Sequence, residues 1–478
     1  MNPFDKARYG ELLKGLEISE VRLSDIDLGD RFDAEYYSKQ DLAIATMLKK
    51  RGSDELRAFG EFVASAFYPA ATELYSVGDV PFIRCVDCIS YPVVTHRQDN
   101  LFERIPSAFV ANNKGVSSLN RGEIVITKVG SPCYASIVHE HDSVALSRTV
   151  MGIAKIHGID PYYLLAFLRS KYGFSQLMRQ RELTIQYQLT LERVKRILVF
   201  KPSIEFQAKV RELVYQFANC EQKAAAQYLE SEKALLVNLG FSGWMPTDEA
   251  ISVKTYSDFL SAERFDAEYF QPKYDAIEGK IRGCRGGAVM ASDALVAGLV
   301  NEAAETSERY VELADIGANG EITGFTSAIF GDLPSRARQR METGQVIVSS
   351  IEGSLDKCAL VTPEFDKALC STGFHRFRST AINAETLLLL FKSWPIQQLM
   401  KRGCSGTILS AILPGELSRV PLPLVARKVQ QGLAAKVQSS FALRAESKRL
   451  LDLAKRAVET AIEQGEEKAI ATIEREAQ

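Results

Sequence analysis

The sequence predicts an α/β (α+β) protein made of two diverged copies of one mixed domain, separated by two long helices that pair antiparallel as a coiled coil. Three observations predict this architecture. A seven-residue motif occurs twice, a second set of residues recurs at a constant offset, and each copy ends in a long proline-free stretch with helically spaced apolar residues. A repeat of about half the chain far exceeds the roughly 20–50 residues of solenoid repeats, so it indicates duplicated domains.

The duplication is carried by two sets of matching residues. The seven-residue motif begins at Arg31 and returns at Arg264, with six of its seven residues identical. The second set recurs at one constant, slightly shorter offset. It pairs Gly130-Ser131 with Gly353-Ser354, Val138 with Val361, Ala145-Leu146 with Ala368-Leu369, Thr149 with Thr372, Leu164-Leu165 with Leu387-Leu388, and Ser170 with Ser393. Two similar heads suit a ligand with two similar sites.

Each copy has a lead, a body and a helix in the same order. The predicted segments are an N-terminal lead (1–54), a first α/β body (55–202), a central long helix (203–240), a linker with the second lead (241–285), a second α/β body (286–423) and a C-terminal long helix (424–478). β-branched residues favour strands over 80–86, 123–127, 310–313 and 345–348. In the first body, Pro161 marks the first turn of a helix whose counterpart contains 387–391.

The two long helices that end the copies each need a packing partner. About 35 residues at 1.5 Å rise reach roughly 50 Å, and a single apolar stripe on such a helix needs a partner in water. The simplest solution is that the two helices pack antiparallel as a coiled-coil strut that fixes the distance between the bodies. The alternative is that each helix packs only on its own body.

Composition narrows the class of protein. The chain has 478 residues, of which 46% are hydrophobic and 25% charged, as in ordinary globular proteins. No stretch approaches a membrane span, and the start lacks the apolar core of a signal peptide, so a cytoplasmic protein is expected. The net charge is −2, but residues 179–201 hold six basic residues against two acidic ones. Positive charge is therefore local rather than global.

The usual catalytic motifs are missing from the sequence. It has no phosphate-binding loop, no HExxH and no GxSxG elbow. Cys85 and Cys88 form the only CxxC pair and are expected to be two small apolar residues in a strand-like run, because a zinc ribbon needs a second pair. The run His139–Asp142 is expected to be a polar turn, and Asp160 before Pro161 is expected to cap a helix. None of these patterns points to an active site.

Taken together, these motifs resemble the specificity (S) subunit of type I restriction–modification systems. The resemblance rests on the doubled lead motif, on a strand that runs into each Gly-Ser turn, on the helix with Leu-Leu and Ser, and on the long helix that follows a proline-bearing end. It covers nearly the whole chain. The sequence departs from the family pattern where the polar segment 182–188 lacks glycine and where Arg427-Lys428 stand in place of the usual glutamine.

The resemblance implies a function and a set of partners. Each body would be a target recognition domain that reads one block of an asymmetric, split sequence in double-stranded DNA. The long helices would set the spacing and dock DNA adenine methyltransferase subunits, of which two are expected. S-adenosylmethionine would then act in those subunits, and ATP with Mg²⁺ in a motor–nuclease subunit that joins the complex for phage defence. The chain itself would bind no cofactor or metal.

Candidate interface residues fall into two groups. Basic and polar residues near the Gly-Ser turns and the polar segments are candidates for phosphates or base edges, since Arg suits guanine and Gln suits adenine. They are Lys128, Ser131, Arg148, Thr149, Gln186, Gln188, Lys195, Arg196, Arg336, Arg338, Ser349, Ser350, Ser354, Lys357, Arg376 and Thr407. The lead motifs supply candidates for partner docking, namely Arg31, Phe32, Asp33, Tyr36, Arg264, Phe265, Asp266 and Tyr269. Alternatively, the lead motifs cap the fold, with Arg and Asp paired.

Two other classes of function stay open. A two-domain scaffold whose coiled coil binds only protein would show no DNA sequence preference, even with a methyltransferase partner. A free-standing enzyme with an unrecognised site would methylate DNA alone when given S-adenosylmethionine.

Overall fold

The computed structural model describes residues 6–23, 26, 31, 33–66, 74, 78–96, 102–131, 133–182, 187–249, 251–296, 298–299, 307–406 and 409–476. The chain divides into two compact units. Unit 1 comprises Met1–Gln222 and Ala445–Gln478, and unit 2 comprises Lys223–Arg444. Each of the two longest helices therefore contributes one half to each unit. The part of the chain that the structure describes contains no helix with the length and apolar character of a bilayer span.

Unit 1 contains helices around two main sheets. Its helices are α1 (Lys6–Leu12), α2 (Lys39–Lys50), α3 (Cys85–Ser90), α4 (Ser107–Asn112), α5 (Pro161–Arg169), α6 (Lys171–Arg179), α7 (Leu191–Val194) and the first half of α8 (Ile204–Asn238). Its strands are β1 (Ser53–Glu55), β2 (Glu61–Ala64), β3 (Val80–Ile83), β4 (Val93–Val94), β5 (Glu103–Ile105), β6 (Ser118–Asn120), β7 (Ile124–Thr127), β8 (Ala135–Val138), β9 (Ser143–Leu146), β10 (Val150–Ala154) and β11 (Leu198–Phe200). The sheet orders are β2-β10-β7-β8-β4, β5-β3-β9-β6 and β1-β11.

Unit 2 repeats this plan. Its helices are α9 (Tyr256–Ala262), α10 (Pro272–Arg282), α11 (Ala384–Lys392), α12 (Trp394–Arg402), α13 (Pro414–Ser418) and the first half of α14 (Arg427–Gln464). Its strands are β12 (Ala288–Met290), β13 (Leu295–Val296), β14 (Ser307–Val311), β15 (Thr326–Ile329), β16 (Ala337–Arg340), β17 (Val346–Ser349), β18 (Cys358–Leu360), β19 (Leu369–Ser371), β20 (Phe374–Phe377), β21 (Cys404–Ser405), β22 (Ala411–Ile412) and β23 (Pro421–Pro423).

The two units share their strand topology. The order β13-β20-β17-β18 in unit 2 matches β2-β10-β7-β8 in unit 1, and β15-β14-β19-β16 matches β5-β3-β9-β6. The parallel pair β14–β19 corresponds to the parallel pair β3–β9, and β12–β23 corresponds to β1–β11. In sequence number, α11 begins and ends at the same offset from α5 that separates the second set of matching residues. The same holds for α12 and α6. The duplicated α/β architecture predicted from the sequence is confirmed.

The central strands and the helix packed on them form each core. Strands β7 and β17 are buried along their whole length, and α5 and α11 are almost wholly buried as well. Asp160 caps α5, because its Oδ1 accepts hydrogen bonds from the N–H groups of Tyr162 and Tyr163. Asn383 does the same for α11. The predicted N-cap is therefore present in both copies.

The long helices pack antiparallel within each unit. In unit 1, Phe206 and Val210 of α8 share a core with Leu453 and Ile462 of α14. In unit 2, the Ser440 hydroxyl of α14 donates to the carbonyl of Ala224 on α8, at 2.8 Å. Further along unit 2, Glu230 of α8 faces Lys436 of α14 at 2.6 Å. As position rises along α8 it falls along α14, which confirms the predicted antiparallel pairing.

Two segments differ from the sequence expectation. The strand predicted over 80–86 ends at Ile83, and α3 begins at Cys85, because the Asp87 carboxylate accepts from the N–H of Arg84 and starts a helix there. The C-terminal helix also stops at Gly465, whose φ of 100° lies in the region that favours glycine. Beyond it, α15 (Glu466–Glu476) folds back along α14 and buries Ala469 and Ile473.

Candidate nucleic-acid interface

In unit 1, the turn that follows the central strand meets the polar segment before α7. The N–H of Leu189 donates to the carbonyl of Lys128 at 2.9 Å, and Val129 forms an antiparallel bridge with Gln188. Gln188 also bridges back to Glu182, so the two ends of the polar segment pair antiparallel. The N–H of Lys128 donates to the carbonyl of Thr149 at 2.9 Å. The structure therefore brings three regions together that are far apart in sequence.

The side chains around this turn are polar, and several of them form hydrogen bonds with one another or with nearby backbone groups. The Thr149 hydroxyl lies 2.7 Å from the Ser147 hydroxyl and accepts from the N–H of Cys85 at 3.2 Å. The Thr127 hydroxyl donates to the carbonyl of Ser131 at 2.8 Å, which fixes the turn and leaves Ser131 exposed. A turn held in this way presents its side chains in a fixed geometry.

Two cations stand at the same place. Lys128 is half-buried and Arg148 is exposed. Burial lowers the pKa of the Lys128 ammonium, and the nearby positive charge of Arg148 lowers it further. Two like charges held near each other favour an electron-rich ligand at this surface.

Unit 2 has the same arrangement with other side chains. The N–H of Ile412 donates to the carbonyl of Ser350 at 2.8 Å, and Ile351 forms an antiparallel bridge with Ala411. The Ser350 hydroxyl and N–H both reach the carbonyl of Gly373, at 3.0 and 2.9 Å. The antiparallel pairing of β21 with β22 corresponds to the bridge between Glu182 and Gln188. The two predicted interface segments thus meet in both units.

Several candidate residues of unit 2 are engaged inside the fold. Arg376 is only 6% exposed and donates to the Gln339 carboxamide oxygen and to the carbonyls of Arg340 and Gly298. The Lys357 ammonium donates to the carbonyl of Ile316 at 2.8 Å. Because these donors are already satisfied, Arg376 and Lys357 hold the unit together. Their contact with DNA stays a prediction that the geometry does not favour.

Two more serines of unit 2 shape its turn. The Ser349 hydroxyl is buried and lies 3.2 Å from the hydroxyl of Ser354. It also accepts from the N–H of Ile351 at 3.1 Å. Ser349 and Ser354 therefore fix the turn after β17, and their contact with bases stays a prediction.

The remaining four cations differ in their exposure and surroundings. Lys195 lies 2.5 Å from the Glu192 carboxylate, whereas Arg196 is exposed. Arg338 donates to the carbonyl of Ser335, and Arg336 is exposed, with its carbonyl bound to the N–H of Thr372. Contact of these four cations with DNA stays a prediction. Two further candidates lie outside the described residues, namely Gln186 and Thr407.

The first lead motif forms a clasp with its own unit. The Arg31 guanidinium donates to the Asp33 carboxylate, with Nη2 2.8 Å from Oδ1. The same Oδ1 accepts from the N–H of Tyr36 at 3.0 Å. Arg31 also donates to the carbonyl of Arg181 at 2.8 Å. The guanidinium of Arg179 lies 4.0 Å from the centre of the Tyr36 ring and donates to the Tyr36 carbonyl at 2.7 Å.

The second lead motif forms the same clasp. Arg264 binds the Asp266 carboxylate at 2.7 Å and donates to the carbonyl of Cys404 at 3.2 Å. Arg402 takes the place of Arg179, 4.5 Å from the ring centre of Tyr269 and 3.0 Å from its carbonyl. Each clasp therefore has an arginine–aspartate pair, a tyrosine and a second arginine from α6 or α12.

The clasps support the capping alternative for the lead motifs. Their arginines and aspartates are consumed by contacts within their own units. Phe265 is the exception, since it is 71% exposed and stacks on Phe259 at 5.4 Å. Its counterpart Phe32 lies outside the described residues. Partner docking by the lead motifs stays a prediction, with Phe265 as the side chain available for it.

The other sequence motifs have structural roles. Cys85 and Cys88 lie on α3, where burial raises the pKa of both thiols. The ring of His139 is buried, and its Nδ1 lies 2.7 Å from the Tyr162 hydroxyl. Within the described ranges, no group of three or more metal-ligating side chains occurs.

No protein-family model matches the chain, and no curated protein matches it. Solved structures do. The chain is similar to the type I restriction–modification S subunit from M. genitalium, at 12% identity and a TM-score of 0.39, over 88% of this chain and 95% of that one. It is similar to the HsdS subunit from Thermoanaerobacter tengcongensis at 13% identity and a TM-score of 0.29, over 87% and 97%. These structural neighbours are type I S subunits.

A third match comes from a structure described for complex assembly and conformational transition of the type I R-M system, at 13% identity and a TM-score of 0.27, over 86% and 100% of the two chains. The resemblance indicated by the sequence motifs is thus confirmed as a resemblance.

Sequence reasoning missed a buried glutamine at the start of each long helix. Gln207 accepts from the N–H of Asp160 at 2.8 Å and donates to the carbonyl of Pro202 at 2.9 Å. Gln430 occupies the same place in unit 2, where it accepts from the N–H of Asn383 at 2.7 Å. The signal was available, since the two glutamines lie at the same offset as the second set of matching residues. The glutamine expected near Arg427 is therefore present three residues later.

Proposed function

We propose that this chain is the non-catalytic DNA sequence-recognition subunit of a type I restriction–modification complex, or of a related phage-defence methylation complex, in the cytoplasm. One observation carries the proposal. Two units of equal topology hold the same surface, formed by the turn and the polar segment, yet the side chains on that surface differ. A fixed scaffold with variable exposed polar groups is what reading two different short sequences requires.

We further propose a division of labour between units and helices. Each unit reads one block of an asymmetric bipartite target, and α8 with α14 sets the spacing between the blocks. Methyltransferase subunits, two of them, dock on the helices and methylate adenine with S-adenosylmethionine. A motor–nuclease subunit supplies ATP and Mg²⁺ chemistry. The absence of catalytic motifs from the sequence supports the assignment of the chemistry to partners.

The test is an exchange of one body. Residues 286–423 are replaced by the corresponding body of another such subunit, and methylated adenines are mapped by sequencing in cells that carry the methyltransferase. The expected result is a change in one block of the target, with the other block retained. Because each unit has its own core, the exchange leaves unit 1 intact.

Two results would contradict the proposal. If both blocks change together, the units do not read independently. If the methylation pattern does not depend on this chain at all, a protein scaffold explains the fold better, and methylation by the purified chain alone would instead point to an enzyme.

A further inference from the structure

The two candidate interfaces have the same backbone but not the same charge. Lys128 directly follows the central strand of unit 1, and its carbonyl accepts from the N–H of Leu189. Ser350 directly follows the central strand of unit 2, and its carbonyl accepts from the N–H of Ile412. These shared hydrogen bonds place Lys128 and Ser350 at equivalent positions.

A second pair of positions follows from strand register. Val150 lies opposite Thr127 in unit 1, and Phe374 lies opposite Ser349 in unit 2. Two residues before these partners stand Arg148 in unit 1 and Thr372 in unit 2, and both are exposed. The N–H of Lys128 donates to the carbonyl of Thr149 and the N–H of Ser350 to that of Gly373, so the structure aligns Thr372 with Arg148 and corrects the sequence pairing of Thr149 with Thr372. Unit 1 thus carries two cations where unit 2 carries two hydroxyl groups.

The surroundings of the two cations favour a base edge over a phosphate. Lys128 is half-buried at the foot of the turn, where its N–H donates to the carbonyl of Thr149 and the next residue, Val129, bridges to the exposed Gln188. Phosphates are more simply met by exposed flanking cations such as Arg196. In the major groove only guanine offers two adjacent acceptors, N7 and O6, whereas adenine offers one acceptor and one donor.

We propose that Lys128 and Arg148 recognise a guanine edge in the block read by unit 1, and that the equivalent position in the block read by unit 2 is not selected for guanine. This inference rests on the proposed function. It assigns the difference between the two blocks to two pairs of residues, Lys128 with Arg148 and Ser350 with Thr372.

The test gives unit 1 the residues of unit 2. The full-length chain and its Lys128→Ser/Arg148→Thr variant are each used to select duplexes from a random library, at two salt concentrations. The expected result is that one position of the first block loses its guanine preference by about tenfold or more, while the second block is unchanged. The reciprocal Ser350→Lys/Thr372→Arg variant is expected to add guanine preference to the second block.

A matched control removes a flanking cation. Arg196→Ser is expected to weaken binding to all sequences alike and to reduce the salt slope by about one. Thermal unfolding of each variant shows that the loss of preference does not come from loss of fold.

The other outcomes separate the inference from the function beneath it. If Lys128→Ser/Arg148→Thr behaves like Arg196→Ser, the two cations contact phosphates and the inference is wrong. If the variant keeps its guanine preference, the inference is also wrong, while two-block reading stands. If the wild-type chain selects no sequence even together with a methyltransferase partner, the proposed function itself fails.

Discussion

At the scale of single residues, the lead motifs show how a recurring motif can hold its own unit together. In each clasp the aspartate accepts from an arginine and from a backbone N–H of the following turn. The arginine partner is the main reason why the pKa of Asp33 and that of Asp266 lie below the usual range for aspartate. The side chains of each motif therefore bind groups of their own unit, and the charge of the aspartate stabilises the fold.

The pH dependence of stability tests this role. Asp33→Asn is expected to lower the free energy of unfolding by about 1 kcal/mol at neutral pH, because it removes the charge but keeps an acceptor. The folded carboxylate has the lower pKa, so its contribution is present above the unfolded value of 3.8 and is lost as pH falls through the folded value. Urea unfolding from pH 7 down to about pH 3 measures the difference between wild type and variant.

Asp266→Asn serves as the parallel variant in unit 2 and is expected to follow the same course. A difference between wild type and variant that stays constant over the whole pH range would contradict the role of the charge. It would mean that the aspartates act only through shape and neutral hydrogen bonds.

At the scale of elements, a buried glutamine ties each long helix to the body that precedes it. In unit 2, the Gln430 side chain donates to the carbonyls of Ala381 and Val425, at 2.9 and 2.8 Å, and accepts from the N–H of Asn383. One side chain thereby joins the loop before α11 to the first turn of α14. The orientation of the helix on its own unit depends on these three bonds.

Removing that side chain is expected to be costly. Gln430→Met fills a similar volume but leaves three backbone groups without partners, which should lower the free energy of unfolding by about 2–4 kcal/mol. Gln438→Met is the matched control, because Gln438 is exposed on the same helix. Urea unfolding of both variants gives the comparison. Equal losses in the two variants would show that the buried bonds contribute little.

The elements also show what the sequence can and cannot reveal. Apolar spacing predicted α8 and α14, and a capping residue before Pro161 predicted the start of α5, because both signals are local. The stop at Gly465 was missed, since a glycine inside a helical pattern can be tolerated or can end it. The bridge from Val129 to Gln188 was not foreseeable, because pairing between distant segments depends on the whole fold.

The same limit applies to the candidate interface. The sequence showed where basic residues cluster, but it did not show which of them are buried. Arg376 resembles a DNA contact in sequence, yet its donors are consumed by carbonyl and carboxamide oxygens of its own unit. Lys128 and Arg148 looked no different from it, and only the structure places them together at the turn.

At the scale of the whole molecule, duplication separates scaffold from readout. The buried strands, the capped helices and the clasps are alike in both units, while the exposed residues of the turn and the polar segment differ. Under the proposed function, such a chain could change one block of its target without disturbing the other, because each unit has a core of its own. The helices are the part of the chain that both units share.

Because both units share these helices, shortening the helices should change the spacing between the blocks, an expectation that rests on the proposed function. Deleting 219–225 from α8 and 441–447 from α14 removes two turns from each helix at facing levels, as Ala224 bonds to Ser440 and Glu221 to Ser447. Seven residues correspond to about 10 Å, or about three base pairs. The unread spacing should shorten by that amount with both blocks retained, and binding should weaken, because three base pairs turn the duplex by roughly a third of a turn.

Sequencing of methylated adenines, or of duplexes selected by the full chain, measures the spacing directly. Deleting 246–249 from the linker is the control, since these residues lie outside both helices and the spacing should stay as it is. An unchanged spacing after the paired deletion would mean that the helices do not set the distance between the blocks. A change in the blocks themselves would mean that the helices take part in reading the sequence.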